Sequence, residues 1–160
     1  MDPKIIVTNR KAYHDYYIED TVEAGLVLTG TEIKSIRQGR VNIRDAYARP
    51  ENGELWLVNA HIAPYKEGNR YNHDPTRPRK LLLHKDEIID FSNKISKKGL
   101  TIVPLKLYLK KGFAKVELGL ARGKKLHDKR KAIIQHQTER ELAEALKPGS
   151  RKSTKTKERR

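Results

Sequence analysis

The strongest constraint on this fold is an alternation in residues 105–118. Leu105, Leu107 and Leu109 trade places one for one with Lys106, Tyr108 and Lys110. Ala114, Val116 and Leu118 then do the same with Lys115 and Glu117. A period of two sends the two sets to opposite faces of a strand. Lys111-Gly112 falls between the runs, so Leu100–Leu120 reads as a hairpin with one apolar face and one face carrying Lys and Tyr. That pattern suits a small β-barrel offering a sheet face to nucleic acid.

The rest of the first 120 residues can complete such a barrel. Tyr13–Thr29 alternates, with Val22, Ala24, Leu26 and Leu28 on one face and Glu23 standing on the other. Glu23 is a solubilising carboxylate on the plain reading, and an acceptor for base amino groups in an RNA binder. Thr31 is the expected N-cap of a short helix, Glu32–Gln38, which Gly39 stops. Ile33 and Ile36 give that helix an inner face. Lys34 and Arg37, three apart, share the other, either as a solvated face or as a phosphate clamp. Asn42–Ala48 and Glu54–Ile62 read as strands around Pro50-Glu51-Asn52-Gly53, with Trp56 expected in or over the core. Tyr65–Arg79 reads as a mobile polar loop whose four cations interleave with Tyr65 and Tyr71, a composition suited to unpaired or bent RNA. His84–Lys98 is the clearest helix. Asp86 and Glu87 open it, Lys97 and Lys98 close it, Ile88, Phe91 and Ile95 form its stripe, and Gly99 stops it. Residues 1–12 read as a short basic terminus in which Asn9, Arg10 and Lys11 either contact phosphate or are simply solvated.

Charge divides the chain. Of the net charge of +15, residues 122–160 carry 14 Lys/Arg against 5 Asp/Glu, a net of +9. Ala132–Leu146 can form a helix, with Thr138 and Glu141 as a capping box, but its apolar stripe is narrow and such a helix is marginal alone. Ser150–Arg160 has no apolar residue and is expected to be disordered. The predicted organisation is therefore a barrel over residues 1–130 and a basic tail over 131–160 that folds when it binds.

A pI near 10 favours an anionic polymer as partner, with nucleic acid ahead of a membrane because no long apolar run is present. No signal peptide or other address is visible, so a cytoplasmic location is expected. Without Cys there is no thiolate nucleophile and no Cys-ligated zinc. The six histidines lack metal-ligand spacing, and Gly119-x-x-x-Gly123-Lys124-Lys125 is one residue short of a P-loop and has no Ser/Thr for magnesium. Neither catalysis nor a cofactor is expected.

Four blocks, GTEIKSIRQG (30–39), DPTRPRKLLLHKDEI (74–88), VPLKLYLKKGFAKVELGLARGKK (103–125) and DKR (128–130), resemble the bacterial SsrA-binding protein (small protein B) family in order and spacing. The resemblance implies an oligonucleotide-binding-type (OB-fold) barrel with added short helices. It implies binding to the tRNA-like part of transfer-messenger RNA and entry into stalled ribosomes for trans-translation. The tail would then become helical in the message channel near the decoding centre. Transfer-messenger RNA and small-subunit rRNA are the implied partners, with alanyl-tRNA synthetase and the tRNA-delivering elongation factor as candidates reached through the RNA. By matching position, Asn9, Glu23 and Leu82 correspond to RNA-binding positions, whereas Gly123, His127, Asp128, Lys129 and Arg130 fall where the family needs its tail. Residues and resemblance together nominate Asn9, Arg10, Lys11, His14, Glu23, Lys34, Arg37, Arg70, Lys80, Leu82, Lys124 and Lys125 for RNA contact. The uncharged segment Ala132–Gln137 departs from the strongly charged helix of many family members. Rival readings are a permanent ribosomal or initiation-factor-like barrel and an RNA-processing enzyme.

Overall fold

The computed structural model of the protein describes residues 3–124 and 140, the side chains of residues 69 and 70 excepted. The chain divides into two units, Met1–Gly123 and Lys124–Arg160. The first unit runs β1 (Lys4–Thr8), α1 (Arg10–Asp15), β2 (Tyr16–Leu26), α2 (Gly30–Arg37), β3 (Val41–Asn42), β4 (Tyr47–Glu51), β5 (Glu54–Val58), β6 (His61–Ile62), a 3₁₀ turn (Lys66–Tyr71), β7 (Arg79–Leu82), α3 (Lys85–Lys98), β8 (Thr101–Lys110) and β9 (Phe113–Gly123). The unit is mainly β, with short helices. The expected boundary at residue 130 and the tail helix lie outside the described residues, as does the Ala132–Gln137 segment. Arg140 is helical and exposed.

Six antiparallel strands close on themselves in the order β8-β4-β5-β7-β2-β9, with β9 pairing back onto β8. Closure removes the unpaired edges that an open sheet would leave. β1 lies alongside β8, and β3 pairs with β6 apart from the ring. The interior is filled by Ala24 from β2, Leu55 and Leu57 from β5, Leu81 from β7, Ile102 and Leu107 from β8, and Val116, Leu118 and Leu120 from β9. Ile36 of α2 and Phe91 of α3 complete it, both essentially buried.

From Lys106 onward the hairpin follows its alternation, with Tyr108 opposite Lys115 and Leu107 opposite Val116, but Leu105, expected on the face of Leu107 and Leu109, leaves it. Its turn residues, Lys111 (φ 53°) and Gly112 (φ 83°), lie in the left-handed region, and so do Asn52 (φ 52°) and Gly53 (φ 77°) at the β4–β5 turn. Two consecutive positive-φ residues give the backbone twist that tight hairpins require. One irregularity has wider effect. Pro104 pairs with Leu118 and Lys106 with Glu117, so Leu105 is an extra, bulged residue. Ile102 and Leu107 therefore both face the main core, although an odd number of positions separates them. Leu105 turns outward with Val103 and Ala121 to form a second small core beneath Ala12 of α1. Gly119 permits this, since a Cβ there would come within 2.8 Å of Leu105 Cδ1.

Several expectations need correction. Tyr13–Asp15 belongs to α1, not to the strand, which starts at Tyr16. Residues 4–8 form β1 rather than a loose terminus. The cap of α2 is Thr29, whose hydroxyl accepts from Glu32 N while Glu32 Oε1 accepts from Thr29 N at 2.8 Å. The expected Asn42–Ala48 strand is split, with a turn at Ile43–Ala46 between β3 and β4. Leu55 and Leu57 point inward and Trp56 outward, against the expectation that Trp56 packs on the core.

The loop before β7 is not free either. Arg79, counted among its cations, is fully buried and pairs with the equally buried Glu32 at 2.7 Å. Arg77 makes two further hydrogen bonds to Glu32, at 2.6 and 2.8 Å. Arg79 spends its remaining donors on the carbonyls of Ala60, Asp74 and Pro75. Burial alone would raise the Glu32 carboxyl. The bonds from Arg77, Thr29 N and Arg79 outweigh that and hold it below its ordinary value. His73 adds a tie, with Nδ1 at 2.8 Å from Thr31 Oγ1 and Nε2 at 2.8 Å from the Ile62 carbonyl. A surface loop is thus riveted to α2 through the Glu32 carboxylate and the Thr31 hydroxyl.

Candidate nucleic-acid interface

The outer face of the ring has a covered part, under α1, and an open part. Strand register defines the open part. One cross-strand row runs Leu82 (β7), Gly25 (β2), Lys115 (β9), Tyr108 (β8) and Ile5 (β1). The next runs Glu23, Glu117, Lys106 and Thr8. Directly opposed residues share a face, so these nine make one continuous band. Leu82 is half exposed (50%), as is Ile5 (56%), which for apolar side chains on a sheet face is notable beside so many charges.

Glu23 heads the second row, and side chains from β8 converge on it. Tyr108 Oη donates to its carboxylate, and Lys110 Nζ stands 3.5 Å away. The Tyr108 hydrogen bond is the main cause holding the Glu23 carboxyl below its ordinary value. Burial works against it, and Lys110 and Lys115 add to it. Tyr108 is pushed the other way, by burial first and then by the hydrogen bond and charge of Glu23, so it remains a donor at neutral pH. The result is an acceptor charged at neutral pH and fixed in place, with an exposed leucine on the adjacent strand and lysines around it. Lys80, on the same face of β7 as Leu82, pairs with Glu54 at 2.5 Å.

The nominated residues of α1 form a second group. Arg10, Lys11 and His14 line a cleft of about 560 Å³ together with Asn42 and Arg44. Lys11 pairs with Asp45 at 2.8 Å and His14 Nδ1 lies 2.8 Å from Asp15. Asn9 is placed differently from the expectation of phosphate contact. It is buried, its Nδ2 donates to the carbonyls of Ile43 (3.0 Å) and Pro104 (2.9 Å), and its Oδ1 accepts from Ala12 N as the cap of α1. With both donors spent on backbone, Asn9 positions α1 and the Arg44 turn. Lys34 and Arg37 are exposed on α2, with Lys34 Nζ 5.5 Å from the Tyr65 ring centre. The Arg70 side chain lies outside the described residues, as do Lys125, His127, Asp128, Lys129 and Arg130. Gly123 ends β9 opposite Tyr16, and Lys124 follows it, half-buried.

Sequence reading did not nominate Tyr108, Lys110, Lys115 or Arg44. The first three were signalled by the alternation itself, which put Lys and Tyr on the face carrying Glu23 once the strands were paired. Among the described residues no group of three or more His, Asp or Glu could hold a metal ion, and no helix is long and apolar enough to cross a membrane.

A closed antiparallel ring with a charged, aromatic and partly apolar outer face defines the class, a basic β-ring protein. The chain belongs to the SmpB protein family, which it matches over residues 6–148. It is 61% identical over 144 residues to an SsrA-binding protein of Carboxydothermus hydrogenoformans, covering 90% of this chain and 97% of that one. It is 59% identical to an SsrA-binding protein of Bacillus cytotoxicus, covering 90% and 93%. A solved chain from the work "tmRNA-SmpB: a journey to the center of the bacterial ribosome" superposes with a TM-score of 0.65 at 53% identity, covering 79% of this chain and 93% of that one.

Proposed function

We propose that this chain is a cytoplasmic, non-enzymatic adaptor that binds the tRNA-like domain of transfer-messenger RNA and delivers it to stalled ribosomes for trans-translation. Its SsrA-binding relatives and the tmRNA-SmpB ribosome structure support this reading. The ring serves as an oligonucleotide-binding-type barrel. The tail, residues 131–160, serves the ribosome, with Gly123 and His127–Arg130 at its root. One observation carries the RNA contact: Glu23 is held charged by Tyr108 beside the exposed Leu82, amid Lys106, Lys110 and Lys115. A fixed carboxylate accepts from base amino groups, the leucine packs on a base or ribose, and the lysines meet phosphates.

The test is competition. Labelled transfer-messenger RNA bound to the protein is challenged at fixed physiological salt with unlabelled transfer RNA and rRNA fragments. Strong preference for transfer-messenger RNA is expected. Indifference among the RNAs refutes the assignment and leaves a general RNA binder. Deleting 131–160 is expected to preserve that binding and abolish tagging. Equal loss of both would overturn the division into two modules.

A further inference from the structure

Trp56 is the only tryptophan in the chain. It stands on the outer face of β5, between the inward Leu55 and Leu57, and is not among the side chains packed against the core. Register places it between two cations, opposite Arg49 on β4 and opposite Lys80 on β7. No hydrogen bond engages its indole N–H among the described residues, and no buried side-chain nitrogen is left unsatisfied, so that N–H reaches solvent. Its row is continuous with the RNA face. Lys80 and Leu82 share one face of β7, the Lys80 carbonyl accepts from Val27 N at 3.1 Å, and Val27 is itself exposed. Arg49 and Lys80 each hold a partly exposed carboxylate, Glu51 at 3.2 Å and Glu54 at 2.5 Å. Such pairs are weak in water and are readily exchanged for phosphate.

We infer that Trp56 is a stacking platform for an unpaired base of the bound RNA, with Arg49 and Lys80 taking the flanking phosphates. The inference deepens the RNA-binding reading above and rests on it. A flat ring between two cations is the arrangement that holds single-stranded nucleic acid without reading its sequence. The footprint of the RNA then extends past Leu82 across β7 and β5, to the β4 side of the ring.

The experiment uses the full chain and transfer-messenger RNA carrying a fluorescein label. Label anisotropy reports binding, and the emission of the single tryptophan reports its own surroundings in the same titration. Expected are saturable quenching of Trp56 in step with anisotropy and protection from acrylamide. Trp56→Leu is expected to weaken binding about 5- to 100-fold, and Trp56→Phe by much less, with thermal melts showing both variants folded. Arg49→Ala and Lys80→Ala are expected to reduce the salt dependence of binding. Normal binding with unchanged Trp56 emission and a Trp56→Leu variant of wild-type affinity overturns the inference and leaves the RNA-binding reading standing. Absence of binding by anisotropy overturns that reading, and the inference with it.

Discussion

Replacing Glu32 by Gln keeps the shape of the side chain and removes the charge on which α2, the 74–79 segment and β7 converge. Arg79 is fully buried and would lose its carboxylate, keeping only the carbonyls of Ala60, Asp74 and Pro75. The new carboxamide would also turn a donor toward guanidinium donors. Removing one partner of a buried pair costs about 3–5 kcal/mol. The partly exposed Arg77 adds at most about 1 kcal/mol. For a folded unit of this size that corresponds to a melting temperature lower by roughly 10–20 °C. Urea unfolding followed by far-UV circular dichroism is the assay, with the midpoint falling at constant slope. The double replacement Glu32→Gln, Arg79→Met is expected to recover part of the loss, because it removes the stranded charge. The pH dependence follows from the lowered Glu32 carboxyl. Its contribution is full above the ordinary value of 4.5 and is lost as pH falls through the lower folded value. Wild type should therefore lose stability in that acid window, and Glu32→Gln should lack this component. A loss under about 1 kcal/mol for the single variant would refute the reasoning. So would a double variant as unstable as the two single losses added.

Asn9→Ala is expected to cost about 2–3 kcal/mol, from a lost helix cap and two stranded buried carbonyls. Asn9→Asp, which keeps the cap acceptor but not the donors, should be no better, and thermal melts compare the two. Tyr108→Phe removes the main cause of the lowered Glu23 carboxyl. Its titration, followed by carboxyl-carbon NMR, should move up toward 4.5, and RNA affinity should begin to fall at a higher pH than in wild type; an unmoved titration would show that the lysines alone suffice.

What could be read from the chain was what short-range periodicity encodes. The β8–β9 alternation from Lys106 onward, the charge order of α3 with Gly99 behind it, and Asn52-Gly53 at a hairpin are local signals, and each is where the sequence puts it. Trp56 escapes the pattern because Leu-Trp-Leu-Val is apolar throughout and has no period from which to choose a face. Arg79 reads as a loop cation because its partner Glu32 lies 47 residues away, and nothing local marks a guanidinium as buried. Asn9 looked like part of a basic terminus for the same reason, since the carbonyls it serves belong to Ile43 and Pro104. The candidate band was half legible. Its lysines and Tyr108 came from alternation, but their convergence on Glu23 depends on β2, β8 and β9 lying side by side.

The bulge at Leu105 has a consequence for how such a chain can change over generations. Substitutions along β8 alter one side chain at a time. Losing the bulged residue would leave Pro104 against Leu118 and Lys106 against Glu117 as consecutive pairs, so Lys106–Lys110 would keep their faces, but the second small core would lose Leu105. The bulge is therefore held by what Leu105 fills under α1, not by register, whereas the Lys111-Gly112 turn just beyond it can accept insertions without disturbing either face. Among descendants of this sequence, gaps should collect at that turn, and a chain that has lost the bulged residue should show compensating changes at Ala12, Val103, Gly119 or Ala121, which pack around Leu105.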